Sequence, residues 1–316
     1  MNYRYRELGF PSGDGKSTIH AEIYEPVSGK ARGIFQICHG MIDCVERYRL
    51  LADYLTSHGF IVCGGDHLGH GDTVKDPSDF GYFAKKDGYK IVVDDIYRLN
   101  RIMRDEHKDL PIFLFGHSMG SFLARLYALK YPESVSGIII HGTGGKNPLL
   151  ALGKMVVGLM KIFAGDRHRS RLVTSLAFGS YNSRFPKEEG ANAWLTRDVS
   201  AVASRATDPR TNFIFTLSAY GDLFAALGES NSERFYSEYP TSLPTLIMSG
   251  EEDPVGDYGK GPREVYFGLQ KRGVYNLRLK MYEGARHELF NELNKNEVFA
   301  DIYGWLEALL VQGVSK

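Results

Sequence analysis

The chain has 316 residues, 43% hydrophobic and 24% charged, which reads as an ordinary soluble globular protein with one large domain or a core carrying an insertion. Lysine plus arginine equals aspartate plus glutamate, 38 each, so any pull on nucleic acid or an anionic membrane must come from a local patch. No stretch reaches the roughly 18 uncharged apolar residues of a membrane span. Met1 to Phe10 mixes Arg4, Arg6 and Glu7 with no apolar run behind them, which argues against a signal peptide and for a cytoplasmic address. The three cysteines, Cys38, Cys44 and Cys63, show no Cys-x-x-Cys spacing and read as small free core thiols.

In chain order, the first 30 residues suggest an antiparallel β lead-in turning at Ser12-Gly13-Asp14-Gly15. Gly15-Lys16-Ser17 superficially matches a phosphate-binding loop, but that motif needs a glycine at position 10, which is Phe10. It reads as a hairpin turn. From Gly33 short β runs alternate with helical patterns, the mark of a parallel sheet with crossover helices. Strands are expected at Gly33 to Cys38, Phe60 to Cys63, Pro111 to Phe115 and Val135 to Ile140. Helices are expected at Arg47 to His58, Tyr89 to His107 and Met119 to Lys130. The alternation lapses from Thr143 to Pro240, then resumes with strands at Leu243 to Ser249 and Asn276 to Tyr282 and helices at Arg263 to Arg272 and Lys295 to Val311. The expected organisation is an α/β core, residues 1–142 and 243–316, interrupted by a mostly helical insertion, 143–242.

Gly116-His117-Ser118-Met119-Gly120 sits between a strand and a helix candidate. In that context a Gly-x-Ser-x-Gly pentad forms a sharp turn that exposes the serine hydroxyl, and glycine is needed where side chains would strike neighbouring backbone. A serine hydroxyl is a poor nucleophile without a base. Downstream, Gly250-Glu251-Glu252-Asp253-Pro254 and Glu283-Gly284-Ala285-Arg286-His287 follow consecutive strands, at the edge where parallel sheets carry their sites. Asp253 is preferred over Glu251 and Glu252 because it precedes Pro254, where the loop turns back. His287 is preferred over His39, His67, His70 and His141 because it alone lies downstream of the acid. The backbone N–H groups of Met119 and Met41 are candidate oxyanion donors.

These motifs are joined by His39-Gly40 with Arg47-Tyr48, by Asp66-His67-Leu68-Gly69-His70-Gly71, by Ser249-Gly250 and by Tyr282-Glu283-Gly284. Together the set resembles the monoacylglycerol lipase and lysophospholipase family, over residues 30–142 and 243–312. The resemblance implies an α/β-hydrolase fold with an eight-stranded, mostly parallel sheet and a helical cap over the serine. It also implies that Asp43 and Arg47 stand near the alcohol-leaving side of the pocket. Phe290 stands where animal monoacylglycerol lipases carry a further histidine, which puts glycerol recognition in doubt. His67 and His70 beside Asp66 are read as ordering a loop rather than binding metal. No metal or cofactor is expected.

In the insertion, Pro148 to Gly165 reads as an apolar helix with Lys154 and Lys161 near one face, followed by Arg167, Arg169 and Arg171. It is either a lid that meets lipid or a cap helix with solvated cations. Phe178, Tyr181, Phe213, Phe215, Tyr220 and Phe224 are candidate acyl-pocket aromatics, or simply the core of the cap. The expected activity is hydrolysis of a single-chain acyl ester, a monoacylglycerol or lysophospholipid, through an acyl-enzyme. Alternatives on the same triad are a small-molecule or aryl esterase, an amino-terminal peptidase and an acyltransferase. From another class stands a non-catalytic ligand receptor.

Overall fold

β1 (Tyr3–Pro11) and β2 (Thr18–Pro26) pair antiparallel along their whole length. The protein is described here as a computed structural model covering residues 3–313, so the first two and last three residues of the expected core lie outside the described residues. In the hairpin turn, Asp14 Oδ1 accepts the N–H groups of Lys16 (2.9 Å) and Ser17 (2.7 Å). This closes the would-be phosphate loop on itself.

The parallel part follows as β3 (Gly33–Cys38), α1 (Arg49–Ser57), β4 (Phe60–Gly65), α2 (Gly88–Glu106), β5 (Ile112–His117), α3 (Met119–Lys130) and β6 (Gly137–His141). A 3₁₀ turn, Val45–Tyr48, precedes α1, so the helix expected from Arg47 starts two residues later. The insertion then carries α4 (Leu150–Ala164), α5 (Arg171–Phe178), α6 (Val199–Thr207), α7 (Leu217–Ser230) and α8 (Glu233–Glu238). The chain returns to the sheet with β7 (Thr245–Gly250), α9 (Lys260–Lys271), β8 (Leu277–Tyr282) and α10 (Lys295–Val311).

All eight strands form one sheet in the order β1-β2-β4-β3-β5-β6-β7-β8. β2 joins β4 antiparallel, and every pairing from β4 to β8 is parallel. This is the α/β-hydrolase architecture. β3, β5, β6 and β7 are buried at every residue, because parallel strands are covered on both faces. Ile112, Leu114, Ile138 and Ile140 meet α2, α3 and α9 on one side. Phe113, Phe115 and Ile139 meet α1 and α10 on the other. The three cysteines are free and buried, and Cys38 Sγ lies 3.4 Å from the carbonyl of Gly120.

Between β6 and β7, helices α5 to α8 begin on side-chain caps, whereas α4 starts after Leu149 without one. Ser170, Asp198, Thr216 and Ser232 each accept a backbone N–H from the first turn, satisfying donors that a helix start leaves orphaned. α7 and α8 pack against α3. α4 buries only Val157.

Candidate active site

Ser118 follows directly on β5, with φ 54° and ψ −120°. That left-handed setting is costly for a residue with a side chain, and here the fold enforces it. A Cβ on Gly116 would fall 2.4 Å from Gly120 O, and one on Gly120 only 2.1 Å from Cys38 O. Glycine at both positions therefore lets the turn close against β3. Ser118 is half-exposed between buried His117 and Met119, and its hydroxyl has no hydrogen-bond partner among the described residues. Catalytic hydrogen bonds in unliganded sites often form only with substrate present.

Asp253 and His287 meet beside it. His287 Nδ1 lies 2.9 Å from Asp253 Oδ2, and both residues are buried. Asp253 Oδ1 accepts the Val255 N–H at 2.8 Å, so one oxygen anchors the loop and the other faces the imidazole. A side chain at Gly250 would strike the carbonyls of Ala285 and Arg286 at 2.1 and 2.3 Å; glycine there lets the acid loop and the histidine loop touch. Glu251 pairs instead with Arg263 at 3.5 Å, and Glu252 is exposed.

The loop after β3 completes the group. Gly40 runs so close that an added Cβ would lie 3.3 Å from Ser118 Cβ. Neither the Met41 nor the Met119 N–H is engaged by another group among the described residues. The loop is braced by three buried histidines, His39 stacked on His67 at 3.9 Å and edge-on to His70 at 5.1 Å, and the tautomers of His39 and His70 follow from their bonds. His39 Nδ1 donates to Gly40 O (2.8 Å) while its Nε2 accepts the His67 N–H (2.9 Å). His70 Nδ1 donates to Leu68 O (3.0 Å) while its Nε2 accepts the Ile42 N–H (3.2 Å). Burial lowers all three, His39 and His67 well below the ordinary imidazole value and His70 to about 4, so they stay neutral and hold these bonds. These bonds tie His39, His67 and His70 to the loop beside the serine.

His117 and His141 form a second buried pair, Nδ1 to Nδ1 at 2.7 Å, one donating and one accepting. Burial, then the charge of His287, pushes His141 down to about 3.

Two of the expected substrate contacts are enclosed in the structure. Phe290 is buried, stacked on Tyr48 at 4.3 Å and edge-on to His117 at 5.0 Å; it fills space behind the turn and offers no face to a ligand. Asp43 is also sealed. Its oxygens accept from Arg47 (2.6 Å), Tyr48 (2.8 Å), the Cys44 N–H (3.0 Å) and the Gly40 N–H (3.3 Å). Burial pushes its carboxyl up, but Arg47 and Arg205 more than offset this and hold it below the usual range. Asp43 thus braces the loop.

Arg47 continues the network to Glu288, next to His287, with contacts of 2.6 and 3.1 Å. It also lines a cavity of about 140 Å³ together with Ser204, Arg205, Thr211 and Asn291. Phe178 and Tyr181 are half-buried and belong to an aromatic path toward the site: Phe178 to Tyr181 at 5.4 Å, Tyr181 to Trp194 at 5.2 Å, and Trp194 to the His287 ring at 5.2 Å. Phe215 and Tyr220 are fully buried in the main hydrophobic cluster, Phe215 against the rings of His70 and Phe83, each at 5.4 Å. Trp194, Arg205 and Glu288 escaped sequence reasoning, having no motif around them.

His20, Asp66 and Asp72 offer ligand-type atoms within 4.8 Å of one another. Those atoms are in use: Asp66 accepts the N–H groups of Val45 and Asp72, and Asp72 pairs with Arg210 at 3.0 Å.

The family model described as serine aminopeptidase, S33, matches residues 29–294. The chain belongs to this family. Among curated relatives, this S33 hydrolase is 27% identical to the monoglyceride lipase of Rattus norvegicus over 312 residues, 97% of this chain and 92% of that protein. It is 26% identical to the monoacylglycerol lipase of Mycolicibacterium smegmatis over 309 residues, 93% of this chain and 95% of that protein. Among solved structures, a highly thermostable carboxyl esterase from Bacillus coagulans, in complex with glycerol, matches with a TM-score of 0.91 at 30% identity. That match covers 97% of this chain and 99% of the esterase. The protein is a serine hydrolase.

Proposed function

We propose that this S33 hydrolase cleaves a single-chain acyl ester, a monoacylglycerol or lysophospholipid, through an acyl-enzyme on Ser118. The observation that carries the proposal is the buried 2.9 Å contact between Asp253 and His287 beside the left-handed Ser118 turn. In this reading His287 Nε2 takes the Ser118 proton as the hydroxyl oxygen attacks the ester carbonyl. Asp253 holds the Nδ1–H tautomer and stabilises the imidazolium. The N–H groups of Met119 and Met41 receive the oxyanion. Collapse expels the alcohol, protonated by His287, and water then repeats the sequence on the acyl-serine. The ester chemistry is supported by the relatives' names, monoglyceride lipase and carboxyl esterase.

In the same proposal residues 143–242 act as a cap and touch lipid. Leu152, Met155, Leu159, Ile162 and Phe163 of α4 are exposed, with Leu172 and Leu176 of α5 also exposed, Phe163 to 88%. The neighbouring cations are less available than their sequence cluster suggests. Lys161 pairs with Asp166, Arg167 with Asp79, and Arg169 donates to the carbonyls of Ser78 and Phe80. Lipid attraction therefore rests mainly on the apolar face. No helix among the described residues is long and apolar enough to cross a membrane. A cytoplasmic address is proposed from the three buried, unpaired thiols.

The test is a fluorophosphonate probe with p-nitrophenyl esters from acetate to palmitate, monoacylglycerol and lysophosphatidylcholine. Labelling at Ser118 and turnover of the long single-chain substrates are expected. Labelling with turnover only of amino-terminal peptide amides would replace the ester reading by a peptidase.

A further inference from the structure

Ile42 has φ 52°, a left-handed setting that a β-branched residue rarely adopts. Such a setting persists only where the surroundings over-determine it, and here both its polar groups are held. Its N–H donates to His70 Nε2 at 3.2 Å, from the core loop after β4. Its carbonyl accepts from Arg205 Nη2 at 2.8 Å, from helix α6 of the insertion, 163 residues away. The neighbouring residue is Met41.

Arg205 adds to the positive charge that keeps Asp43 and Glu288 ionised, but a counter-ion role alone does not account for its geometry. It reaches Glu288 only at 3.3 Å, and Glu288 is already met by both Arg47 amines, at 2.6 and 3.1 Å, and by Asn291 at 2.9 Å. Burial, then the nearby charge of Arg47, makes the guanidinium unfavourable there and lowers Arg205 below its ordinary value. Its shortest bond is the one to Ile42.

We infer that Arg205 is a positioning residue for hydrolysis: by pinning the Ile42 carbonyl it fixes the twist that aims the Met41 N–H at the oxyanion, so seating of the insertion assembles part of the catalytic centre. This inference rests on the proposed oxyanion role of Met41. The loop has two anchors of different origin. The His70 anchor belongs to the core and is permanent, whereas the Arg205 anchor is present only while α6 is seated. A soluble substrate too small to touch the insertion still depends on the second anchor.

The experiment uses full-length Arg205→Ala and Arg205→Lys with p-nitrophenyl butyrate, and an alkyl trifluoromethyl ketone whose serine hemiketal carries an oxyanion. Removing an oxyanion donor outright costs about 10²–10³ in kcat elsewhere, so misaiming one predicts a loss of about ten- to a hundredfold with KM within about threefold. Affinity for the ketone falls in the same proportion. Lysine preserves the charge beside Glu288 but lacks the fork that reaches both acceptors, so Arg205→Lys keeps the wild-type melting temperature and loses kcat. The cavity of about 140 Å³ beside Arg205 admits free guanidinium, and a few millimolar guanidinium chloride partly restores Arg205→Ala where sodium chloride does not. Should Arg205→Ala fail to fold, the lysine variant decides. Wild-type kcat in the folded variants, a loss confined to KM, or lost kcat with undiminished ketone affinity overturns the inference. Failure of the underlying reading looks different: the wild-type enzyme itself would bind the trifluoromethyl ketone no more tightly than the matching methyl ketone.

Discussion

Helices α3 and α4 are both rich in apolar residues, and they use that apolarity in opposite ways. α3 buries nine of its twelve residues against the sheet and α7, including the whole side chain of Arg125. That guanidinium is held by Ser230 Oγ, Asn231 Oδ1 and the Gly144 carbonyl. α4 buries one residue of fifteen. The helix that follows the nucleophile must be immobile, because a small shift in Ser118 is a large loss in rate. α4 packs on α7 through Val157 and leaves Leu152, Met155, Leu159, Ile162 and Phe163 exposed, the face proposed above to meet lipid. Apolar composition alone therefore does not distinguish a core helix from a docking face; the neighbours do.

The sharpest break of this contrast is at the head of α3. Ser118→Ala is expected to lower ester turnover by about 10⁶ and abolish fluorophosphonate labelling while the melting temperature holds. Purified mutant with full turnover would remove Ser118 from the mechanism. Next, Asp253→Asn should cost about 10⁴ in kcat by favouring the wrong imidazole tautomer, with Glu251→Gln and Glu252→Gln within about tenfold of wild type. A crippled Glu252→Gln would show that the acid has been misassigned.

The two helices are then compared directly by chemical denaturation. Leu123→Ala in α3 should cost about 2–5 kcal/mol of stability, since a fully enclosed side chain leaves a cavity. Leu159→Ala in α4 should stay within about 0.5 kcal/mol; a larger loss would mean that α4 is a packed helix after all. Replacing Leu152, Met155, Leu159, Ile162 and Phe163 by glutamine should weaken vesicle co-sedimentation and leave p-nitrophenyl butyrate turnover unchanged. The smallest effect is expected from Lys154→Gln with Arg171→Gln, about 1 kcal/mol of vesicle binding per cation at most, read as pelleting in low and high salt. Salt-abolished pelleting of the wild type would shift the weight from the apolar face to the cations.

Much of the candidate site was legible because its motifs are local in sequence. The Gly116–Gly120 pentad carries its own steric explanation, and Asp253 follows the apolar run of β7 while His287 follows β8, where Leu277, Leu279 and Met281 alternate with Arg278 and Lys280. The eight-stranded sheet followed from alternation together with the family resemblance. What could not be read was cross-chain pairing. Arg205 meets Glu288 across 83 positions and Ile42 across 163, and no spacing rule links them. Trp194 lies in a stretch of short turns tied together by Asn182, whose Oδ1 accepts the Trp194 N–H at 3.1 Å, and docked on the histidine loop, where Leu195 O accepts the Glu288 N–H at 2.7 Å. The burial of Phe290 and Asp43 was not legible for the related reason that a motif position does not say which way a side chain faces. The basic cluster failed similarly, since its acceptors Ser78, Asp79 and Phe80 lie about ninety positions upstream.

The sealed thiol of Cys38 has a practical corollary. Its sulfur rests against the Gly120 carbonyl beneath the nucleophile turn, and burial raises its thiol well above the ordinary value, so a disulfide reagent meets neither an accessible sulfur nor a thiolate. Modification has to wait for the elbow to part from β3. With a reagent fast enough to trap every opening, the labelling rate becomes a stopwatch for the breathing of this one junction, readable by peptide mass without any added dye. An inhibitor bonded to Ser118 that tightens the turn should slow that clock for Cys38 while leaving Cys63, on β4 opposite Ile23 of β2, on its original time.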